Sequence, residues 1–418
     1  MKILHILSQI PSFTGSGTYL QATIRQAGRH GYVNYLLAGV PADFEFAEHC
    51  DSLPCLEPEL IRFGLDIDLQ IVGMSDVMPY PSARFCDLDT DELLRYEACF
   101  DTRLQQAVAR WKPDLIHAHH LWLLTSLARQ RFPDIPLVAS CHGSDLRQFH
   151  ACGHLQQQVM HGCSKVDAVC ALSLEQKLQI IDTYEIPSEK IHIVGAGYDN
   201  TLFQTETFNP AVDYSTSTRS NPTINIIYAG KLSRAKGVPW LLRALHKMTD
   251  TSWHFHLVGD GSGAEKEEIV ALSKTLGTRV TLHGSVKPER LAYLLNASQL
   301  FVLPSFYEGI PLVVLEAMGC ECRIVTTNLP GIKEVFGSMD CNWIQRINLP
   351  EMENIDRPQP DAEAGFIRQL EQSIRMQMAS IRTQPSAQPP KTAQRILCNY
   401  AWDSTFHRIE KVYRQILT

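Results

Sequence analysis

Short apolar runs alternate with amphipathic helical patterns along most of the chain, and this alternation is typical of parallel βαβ units. The apolar runs predict strands at 3–7, 33–38, 114–118, 136–140, 167–172 and 191–194, and again at 224–229, 255–258, 279–282, 300–303 and 323–326. Helical patterns at 238–248, 264–276, 288–296 and 311–318 separate the later strands. The pattern therefore predicts an α/β fold with two doubly wound, Rossmann-like domains. The length of 418 residues agrees, because it exceeds what one core usually holds.

A polar stretch separates the two series of strands. Residues 204–222, QTETFNPAVDYSTSTRSNP, have no periodic apolar positions and are rich in Thr, Ser, Asn and Pro. We therefore predict a first domain at 1–203, a linker at 204–222 and a second domain at 223–392. The last segment, 393–418, is amphipathic with a mixed polar face, which favours packing on protein over a membrane surface. In folds of this class such a segment returns to the first domain.

Composition narrows the class of protein and the compartment. The net charge of −7, without a long basic block, argues against a protein built mainly to bind nucleic acid. The apolar stretches are too short to span a bilayer, and the start, MKILHILSQ, is too short an apolar run for an export signal. The 12 cysteines show no paired C-x-x-C spacing, which predicts reduced thiols in a cytoplasmic protein rather than disulfides.

Two groups of residues suggest a bound metal or a nicotinamide cofactor, but their spacing fits neither kind of site. Five potential zinc ligands lie close together in the sequence, namely His150, Cys152, His154, His161 and Cys163. Their spacing matches neither a zinc finger nor H-E-x-x-H, so a mixture of surface and core roles is favoured. The glycine-rich LVGDGSGAE lacks the G-x-G-x-x-G spacing of a dinucleotide site. No metal and no cofactor are predicted.

The stretch that begins at the 300–303 strand indicates an anion site. Proline and glycine residues follow the strand, and Pro311 fits the first position of a short helix at 311–318. The N–H groups of Leu312 and Val313 would then lie at the positive end of this helix without helical partners. A phosphate group fits such a position.

Two glutamates flank this helix start. Glu308 precedes the helix and Glu316 lies within it, with seven residues between them. The stretch SFYEGIPLVVLEAMGCECRIVTTNLPGI resembles the E-x7-E region of the family 4 glycosyltransferases. The resemblance implies a GT-B fold, with two facing Rossmann-like domains and an active site in the cleft between them. It also implies that Glu316 holds the nucleotide ribose and that Glu308 contacts the donor sugar. The alternative is two solvated carboxylates beside an ordinary strand–helix turn.

The first domain carries matching motifs after its strands. Gly15 and Gly17 precede a helix, where glycines let the backbone approach a ligand, although many strand–helix turns carry them. The strand DLIHAH delivers His119 at its carboxyl end, where open α/β sheets bind ligands. The resemblance implies that His119 contacts the donor sugar near the reacting carbon; a hydrogen-bonded core histidine is the alternative. His142 opens the next such loop, HGSD, in which Ser144 or Asp145 either caps a helix or binds the acceptor.

The first turn of the second domain is basic. Its sequence, YAGKLSRAKG, carries Lys231 and Lys236, whose charges suit a departing diphosphate, although a solvated basic loop would look similar. Members of the family usually have Gly-Arg where this chain has Gly230 and Lys231, so the bidentate fork of an arginine is absent.

The resemblance implies a retaining, metal-independent transfer of a sugar from a nucleotide-diphosphate donor, most simply a UDP-sugar. The acceptor is open: a small molecule, a glycan or a lipid-linked glycan, the last with peripheral membrane association. A nucleotide-sugar 2-epimerase and a non-catalytic nucleotide-sugar-binding protein are the alternative functions. The proline-containing region 41–100 is either an acceptor wall, centred on VGMSDVMPYPSARF, or a surface excursion. The role of 339–390 stays open.

Overall fold

The computed structural model describes residues 1–50, 53–75, 78–205, 223–337, 339, 342–354, 357–385 and 387–417. Apart from its first two residues, the predicted linker 204–222 lies outside these ranges. The chain divides into two compact units, Met1–Gly197 with Trp402–Thr418 (unit 1) and Tyr198–Ala401 (unit 2). Each unit is built around one parallel sheet.

Unit 1 contains a seven-stranded parallel sheet in the order β3-β2-β1-β6-β7-β8-β9. Its strands are β1 (Lys2–Leu7), β2 (Val33–Pro41), β3 (Glu59–Phe63), β6 (Leu115–His119), β7 (Leu137–Ser140), β8 (Ala168–Ala171) and β9 (Ile191–Ile193), with a small pair, β4 (Val72–Gly73) and β5 (Ala83–Arg84). Its helices are α1 (Gly15–Arg29), α2 (Phe46–His49), α3 (Thr90–Trp111), α4 (Leu123–Arg131), α5 (Ser144–Ala151), α6 (Gln156–Cys163), α7 (Leu174–Tyr184) and, at the end of the chain, α15 (Trp402–Ile416).

Unit 2 contains a six-stranded parallel sheet in the order β12-β11-β10-β13-β14-β15. Its strands are β10 (Ile224–Ala229), β11 (Trp253–Val258), β12 (Val280–Gly284), β13 (Leu300–Leu303), β14 (Arg323–Thr327) and β15 (Ile344–Ile347), followed by the hairpin β16 (Met352–Asn354) and β17 (Arg357–Pro358). Its helices are α8 (Val238–His246), α9 (Gly263–Lys274), α10 (Pro288–Asn296), α11 (Leu312–Gly319), α12 (Pro330–Phe336), α13 (Pro360–Thr383) and α14 (Lys391–Asn399).

Both sheets reverse their strand order beside the first strand of the unit. Strand β1 lies between β2 and β6, and β10 lies between β11 and β13. In open α/β sheets, ligands bind outside the carboxyl ends of the strands at such a reversal. The loops after β1 and β6 in unit 1, and after β10 and β13 in unit 2, are therefore the expected places for a site. The prediction of two doubly wound, Rossmann-like domains is confirmed.

The structure adds an edge strand to each sheet that the apolar pattern did not predict. Strand β3 lies at the edge of unit 1, inside the proline-containing region 41–100, and β15 lies at the edge of unit 2. Each contains an arginine that interrupts the apolar run: Arg62 donates to the carbonyl of Ala42, and Arg346 donates to the carbonyl of Phe336. Edge strands are packed less completely than central ones, so they tolerate such residues.

The structure also places the domain boundaries differently from the prediction. The N–H of Tyr198 donates to the carbonyl of Tyr400, and the carbonyl of Phe203 lies against Gly319, so 198–203 belong to unit 2. Helix α14 contacts α11 of unit 2. Of the C-terminal segment, only α15 packs on unit 1, where its apolar residues join α1 and β8 in one buried cluster.

One pair of cysteines contradicts the prediction of reduced thiols. Cys86 and Cys152 form a disulfide across a sequence separation of 66 residues. It joins the turn before α3 to the end of α5, a pairing that local cysteine spacing does not reveal. The disulfide removes the cysteine argument for a cytoplasmic compartment. Within the described residues, no helix is both long and apolar enough to cross a membrane.

Candidate active site

The glycine-containing loop of unit 1 joins β1 to α1. The hydroxyl of Thr14 caps the helix by accepting from the N–H of Gly17, at 3.0 Å. A Cβ on Gly17 would lie 2.6 Å from the backbone nitrogen of Ser12, so the loop closes only with glycine there. A Cβ on Gly15 would meet no atom within 4 Å. Packing explains Gly17, whereas the open space at Gly15 is compatible with a ligand close to the backbone.

His119 ends β6 and has no hydrogen-bond partner on either ring nitrogen, although it is only 3% exposed. Its ring lies between two others, stacked on His117 with centroids 4.5 Å apart and nearly parallel to His142 at 5.7 Å. Burial, reinforced by the neighbouring histidines, holds the pKa of His119 well below its ordinary value. His119 is therefore a neutral, buried imidazole whose two nitrogens have no hydrogen-bond partner in the protein.

The loop after β7 contributes His142, whose pKa burial lowers to about 3. The carboxylate of Asp145, fully buried, accepts from the N–H groups of His142 and Leu121, at 3.2 Å and 3.0 Å. Asp145 therefore ties the two loops together instead of capping α5, whose N-cap residue is Gly143. The hydroxyl of Ser144 contacts the ring of His120 at 3.4 Å.

Sequence reasoning missed a polar network behind His119. Nε2 of His117 is 2.8 Å from the hydroxyl oxygen of Ser140, and its Nδ1 is 2.6 Å from that of Tyr413 on α15. His5 pairs with His117 in the strand register, and its Nε2 is 3.1 Å from Oδ1 of Asn34. A histidine within the apolar first strand was the available signal, but Tyr413 lies 296 residues beyond its partner.

Among the described residues, one group of side chains lies close enough together to hold a metal ion. It is not the group between residues 150 and 163 that the sequence suggested. Ring nitrogens of His5, His117 and His119 lie within 4.8 Å of one another. Because both nitrogens of His117 already have partners and its ring stacks on His119, a metal ion would have to displace a hydrogen bond. A network of neutral imidazoles is the better interpretation.

The five potential zinc ligands between residues 150 and 163 do not form a cluster in the structure. The three histidines of this group, His150, His154 and His161, are exposed, whereas Cys163 is buried and Cys152 is in the disulfide.

In unit 2, the structure brings together Lys236 and Glu308. The Nζ of Lys236 lies 2.7 Å from Oε1 of Glu308, and the same oxygen accepts from the hydroxyl of Ser305 at 2.8 Å. Both side chains of the ion pair are partly buried, at 27% and 17% exposure. The turn that carries Lys236 is held against the end of β13, because Gly237 lies so close to the carbonyl of Pro304 that a Cβ would approach it to 2.1 Å.

The other cations of this turn have different surroundings. The carbonyl of Lys231 accepts from the hydroxyl of Tyr228, and the side chain of Lys231 is exposed. Arg234 pairs with Glu268 on α9, at 2.7 Å. Lys236 is therefore the cation that the fold fixes beside a predicted site residue, and Lys231 is a solvated one beside it.

Helix α11 begins at Leu312, one residue later than predicted, with Pro311 as its N-cap residue. The N–H groups of Leu312 and Val313 thus belong to the first turn, whose amides have no helical acceptor. Glu316 follows one turn later and is half-buried. Burial, together with the carboxylate of Asp199, raises the pKa of Glu316 to about 7. The start of α11 thus has three groups around it: the carboxyl group of Glu316, the two backbone N–H groups of its first turn, and the ion pair of Lys236 and Glu308.

Two sequence models match the chain, one in each half. Residues 14–202 match the family described as "Glycosyltransferase Family 4", and residues 223–347 match "Glycosyl transferases group 1". These ranges contain every site residue predicted from the sequence, whereas His5 and Tyr413 of the histidine network lie outside them.

Curated relatives match part of the chain. Glycogen synthase of Mycobacterium tuberculosis is 25% identical over 289 residues, which are 66% of this chain and 63% of that protein. D-inositol 3-phosphate glycosyltransferase of Xylanimonas cellulosilytica is 26% identical over 292 residues, which are 62% of this chain and 67% of that protein. The match thus spans about two thirds of the length of each.

Solved structures match the whole chain. Sucrose-phosphate synthase of Thermosynechococcus elongatus aligns with a TM-score of 0.67 and 18% identity over 100% of this chain and 99% of that one. Anabaena Alr3699/HepE in complex with UDP and glucose aligns with a TM-score of 0.65 and 18% identity, over 99% of this chain and 100% of that one. At this identity the likeness establishes the fold alone.

Proposed function

Because the chain belongs to the family 4 glycosyltransferases and has their GT-B fold, we propose that it transfers a sugar from a nucleotide-diphosphate donor to an acceptor. The observation that carries the proposal is the ion pair of Lys236 and Glu308 directly before the first turn of α11. A cation and free amides suit a diphosphate, and carboxylates suit sugar hydroxyls.

Each group of unit 2 then has one role toward the donor. The N–H groups of Leu312 and Val313 bind the diphosphate, and Glu316 accepts hydrogen bonds from the ribose hydroxyls. Glu308 contacts the donor sugar while its ion pair keeps Lys236 beside the phosphates. The ribose role suits the position of Glu316 within the first two turns of α11, because helical side chains lean toward the N-terminus.

The reaction needs positive charge where the bond to the leaving group breaks. As the sugar departs with oxocarbenium character, negative charge grows on the diphosphate, and Lys236, Lys231 and the amides of α11 stabilise it. These groups supply the charge for a metal-independent reaction. The resemblance further implies retention at the anomeric carbon, in which the acceptor attacks from the face that the diphosphate leaves and a phosphate oxygen accepts its proton.

His119 is the group of unit 1 that we assign to the donor sugar. Its ring nitrogens are free of protein partners and its neutral state suits hydrogen bonds to hydroxyl groups. UDP is the proposed nucleotide, as the resemblance to the family implies, and one structural neighbour holds UDP with glucose. The acceptor is a small molecule or a glycan, and a lipid-linked glycan would bring the protein to a membrane surface.

The test is release of nucleotide by the purified protein from a panel of UDP-, GDP- and ADP-sugars, with and without cell extract as a source of acceptor. Release that depends on the extract with one donor is the expected result. Conversion of a UDP-sugar to an epimer without acceptor would replace the proposal with a 2-epimerase. Donor binding by calorimetry without any release would replace it with a nucleotide-sugar-binding protein.

A further inference from the structure

We propose that Tyr413, on the last helix of the chain, is a positioning residue for His119 and acts through His117. The inference rests on the proposed function, because it assigns His119 to the donor sugar. It names a residue outside all the motifs discussed above.

The orientation of His119 depends on its neighbours, because its ring nitrogens make no hydrogen bond to the protein. Four rings surround it: His117 is the nearest, stacked at 4.5 Å with an interplanar angle of 27°, and the rings of His142, His5 and Tyr19 have centroids 5.7, 6.0 and 6.3 Å away. A rotation of His117 would therefore open space beside His119 and let its ring turn. Because His117 is the nearest of these rings, its position contributes most to the direction in which the free nitrogens of His119 point.

His117 is in turn fixed at both nitrogens. The hydroxyl of Ser140 lies 2.8 Å from Nε2, and that of Tyr413 lies 2.6 Å from Nδ1. A neutral imidazole donates through one nitrogen and accepts through the other, and each of these hydroxyl groups can donate or accept, so the two partners fix the ring orientation of His117 in either tautomer. Burial keeps the pKa of His117 well below its ordinary value and that of Tyr413 well above it, so both groups stay neutral.

Packing alone does not require the hydroxyl of Tyr413. Helix α15 is already anchored by Phe406, Ile409 and Val412, all buried in the cluster that joins it to unit 1. A buried hydroxyl costs free energy unless it is hydrogen-bonded, and a phenylalanine would fill the same space. The contribution of the hydroxyl is therefore specific to the ring of His117.

The experiment compares Tyr413→Phe with Tyr184→Phe, which also loses one buried tyrosine hydrogen bond in unit 1, to the carbonyl of Leu121 at 2.7 Å. Loss of a partner that orients a metal-ligating histidine typically costs about 10–100-fold in metal affinity or activity; because Tyr413 acts on His119 through a second ring, the lower end of that range, about tenfold, is expected here. We expect Tyr413→Phe to lower kcat for sugar transfer by roughly that factor, with donor Kd and Tm close to those of Tyr184→Phe. Ser140→Ala, which removes the other partner, should act in the same direction.

A ¹⁵N spectrum of labelled histidine provides an independent readout, with the His117 signals identified by their loss in His117→Asn. In Tyr413→Phe these signals should shift or split between tautomers, and in Tyr184→Phe they should not. Equal kcat in the two tyrosine variants of an active enzyme would overturn the positioning role. Absence of any nucleotide release by the unaltered protein would instead refute the proposed function, and unshifted His117 signals in Tyr413→Phe would then refute the effect of the hydroxyl as well.

Discussion

Replacement of Lys236 by alanine separates a catalytic role from a structural one. The ion pair with Glu308 is partly solvated, with exposures of 27% and 17%, and such pairs contribute about 1 kcal/mol or less to stability. A fixed charge that faces a developing oxyanion contributes about 2–4 kcal/mol to the transition state, which corresponds to roughly a 30- to 800-fold decrease in kcat. We therefore expect a large fall in turnover with a small change in Tm.

The matched control is Lys266→Ala. The Nζ of Lys266 lies 2.7 Å from Oδ1 of Asp260, so the control removes a lysine–carboxylate pair of the same length from the same unit. Turnover is measured as nucleotide release at saturating donor, donor Kd by calorimetry, and Tm by thermal unfolding. If folded Lys236→Ala kept a kcat within about threefold of the Lys266→Ala value, the assignment of Lys236 to the leaving group would be refuted.

Four further predictions concern nucleotide binding, the pH dependence of stability, the glycine loop and the disulfide. Glu316→Ala should weaken UDP binding at least tenfold by calorimetry, the order expected for lost charge-assisted hydrogen bonds. Since the pKa of Glu316 is raised to about 7 from 4.5, the folded protein retains a proton that the unfolded chain loses, and the free energy of unfolding should fall between these pH values. Urea titrations of Glu316→Gln should lack that slope. Gly17→Ala should lower the free energy of unfolding by about 1–3 kcal/mol, because a Cβ on residue 17 meets backbone atoms of Ser12. Gly15→Ala should not lower it, because a Cβ on residue 15 meets no atom within 4 Å. Reduction of the Cys86–Cys152 disulfide should lower the free energy of unfolding by up to about 4 kcal/mol, the chain-entropy value for a loop of this size.

Each of these has a contradicting result. Unchanged UDP affinity in Glu316→Ala would remove its ribose role, and an equal pH slope in Glu316→Gln would place the titrating group elsewhere. Equal stability of the two glycine variants would contradict the close approach at Gly17. Urea midpoints unaffected by reductant, after thiol titration shows that the pair is reduced, would contradict a stabilising disulfide.

The central strands of both sheets could be predicted because a strand buried on both faces requires a continuous apolar run. The same criterion failed at β3 and β15, where an edge position admits an arginine. The candidate residues of unit 2 could be identified because Glu308 and Glu316 lie in one short motif. Their electrostatics could not, since the ion pair with Lys236 and the effect of Asp199 depend on contacts between segments far apart in sequence.

The hydrogen-bond network behind His119 shows most clearly what could not be predicted from the sequence. His117 could be placed on the same side of its strand as His119 from the alternation of the sequence. No local pattern indicated that a tyrosine 296 residues away would bind His117. The amphipathic pattern of the terminal helix predicts that its apolar face is buried, but it does not predict which residues that face contacts.

Unit 1 is interrupted in sequence by the whole of unit 2, and this has a consequence for synthesis on the ribosome. The segment Met1–Gly197 leaves the ribosome before unit 2, but α15, which covers its cluster of buried residues, is translated after the whole of unit 2. At about 5–20 residues per second, translation of Tyr198–Ala401 takes roughly 10–40 s. During that interval the nascent amino-terminal half exposes the apolar surface that Phe406 and Tyr413 later bury, and exposed apolar surface of this kind favours aggregation.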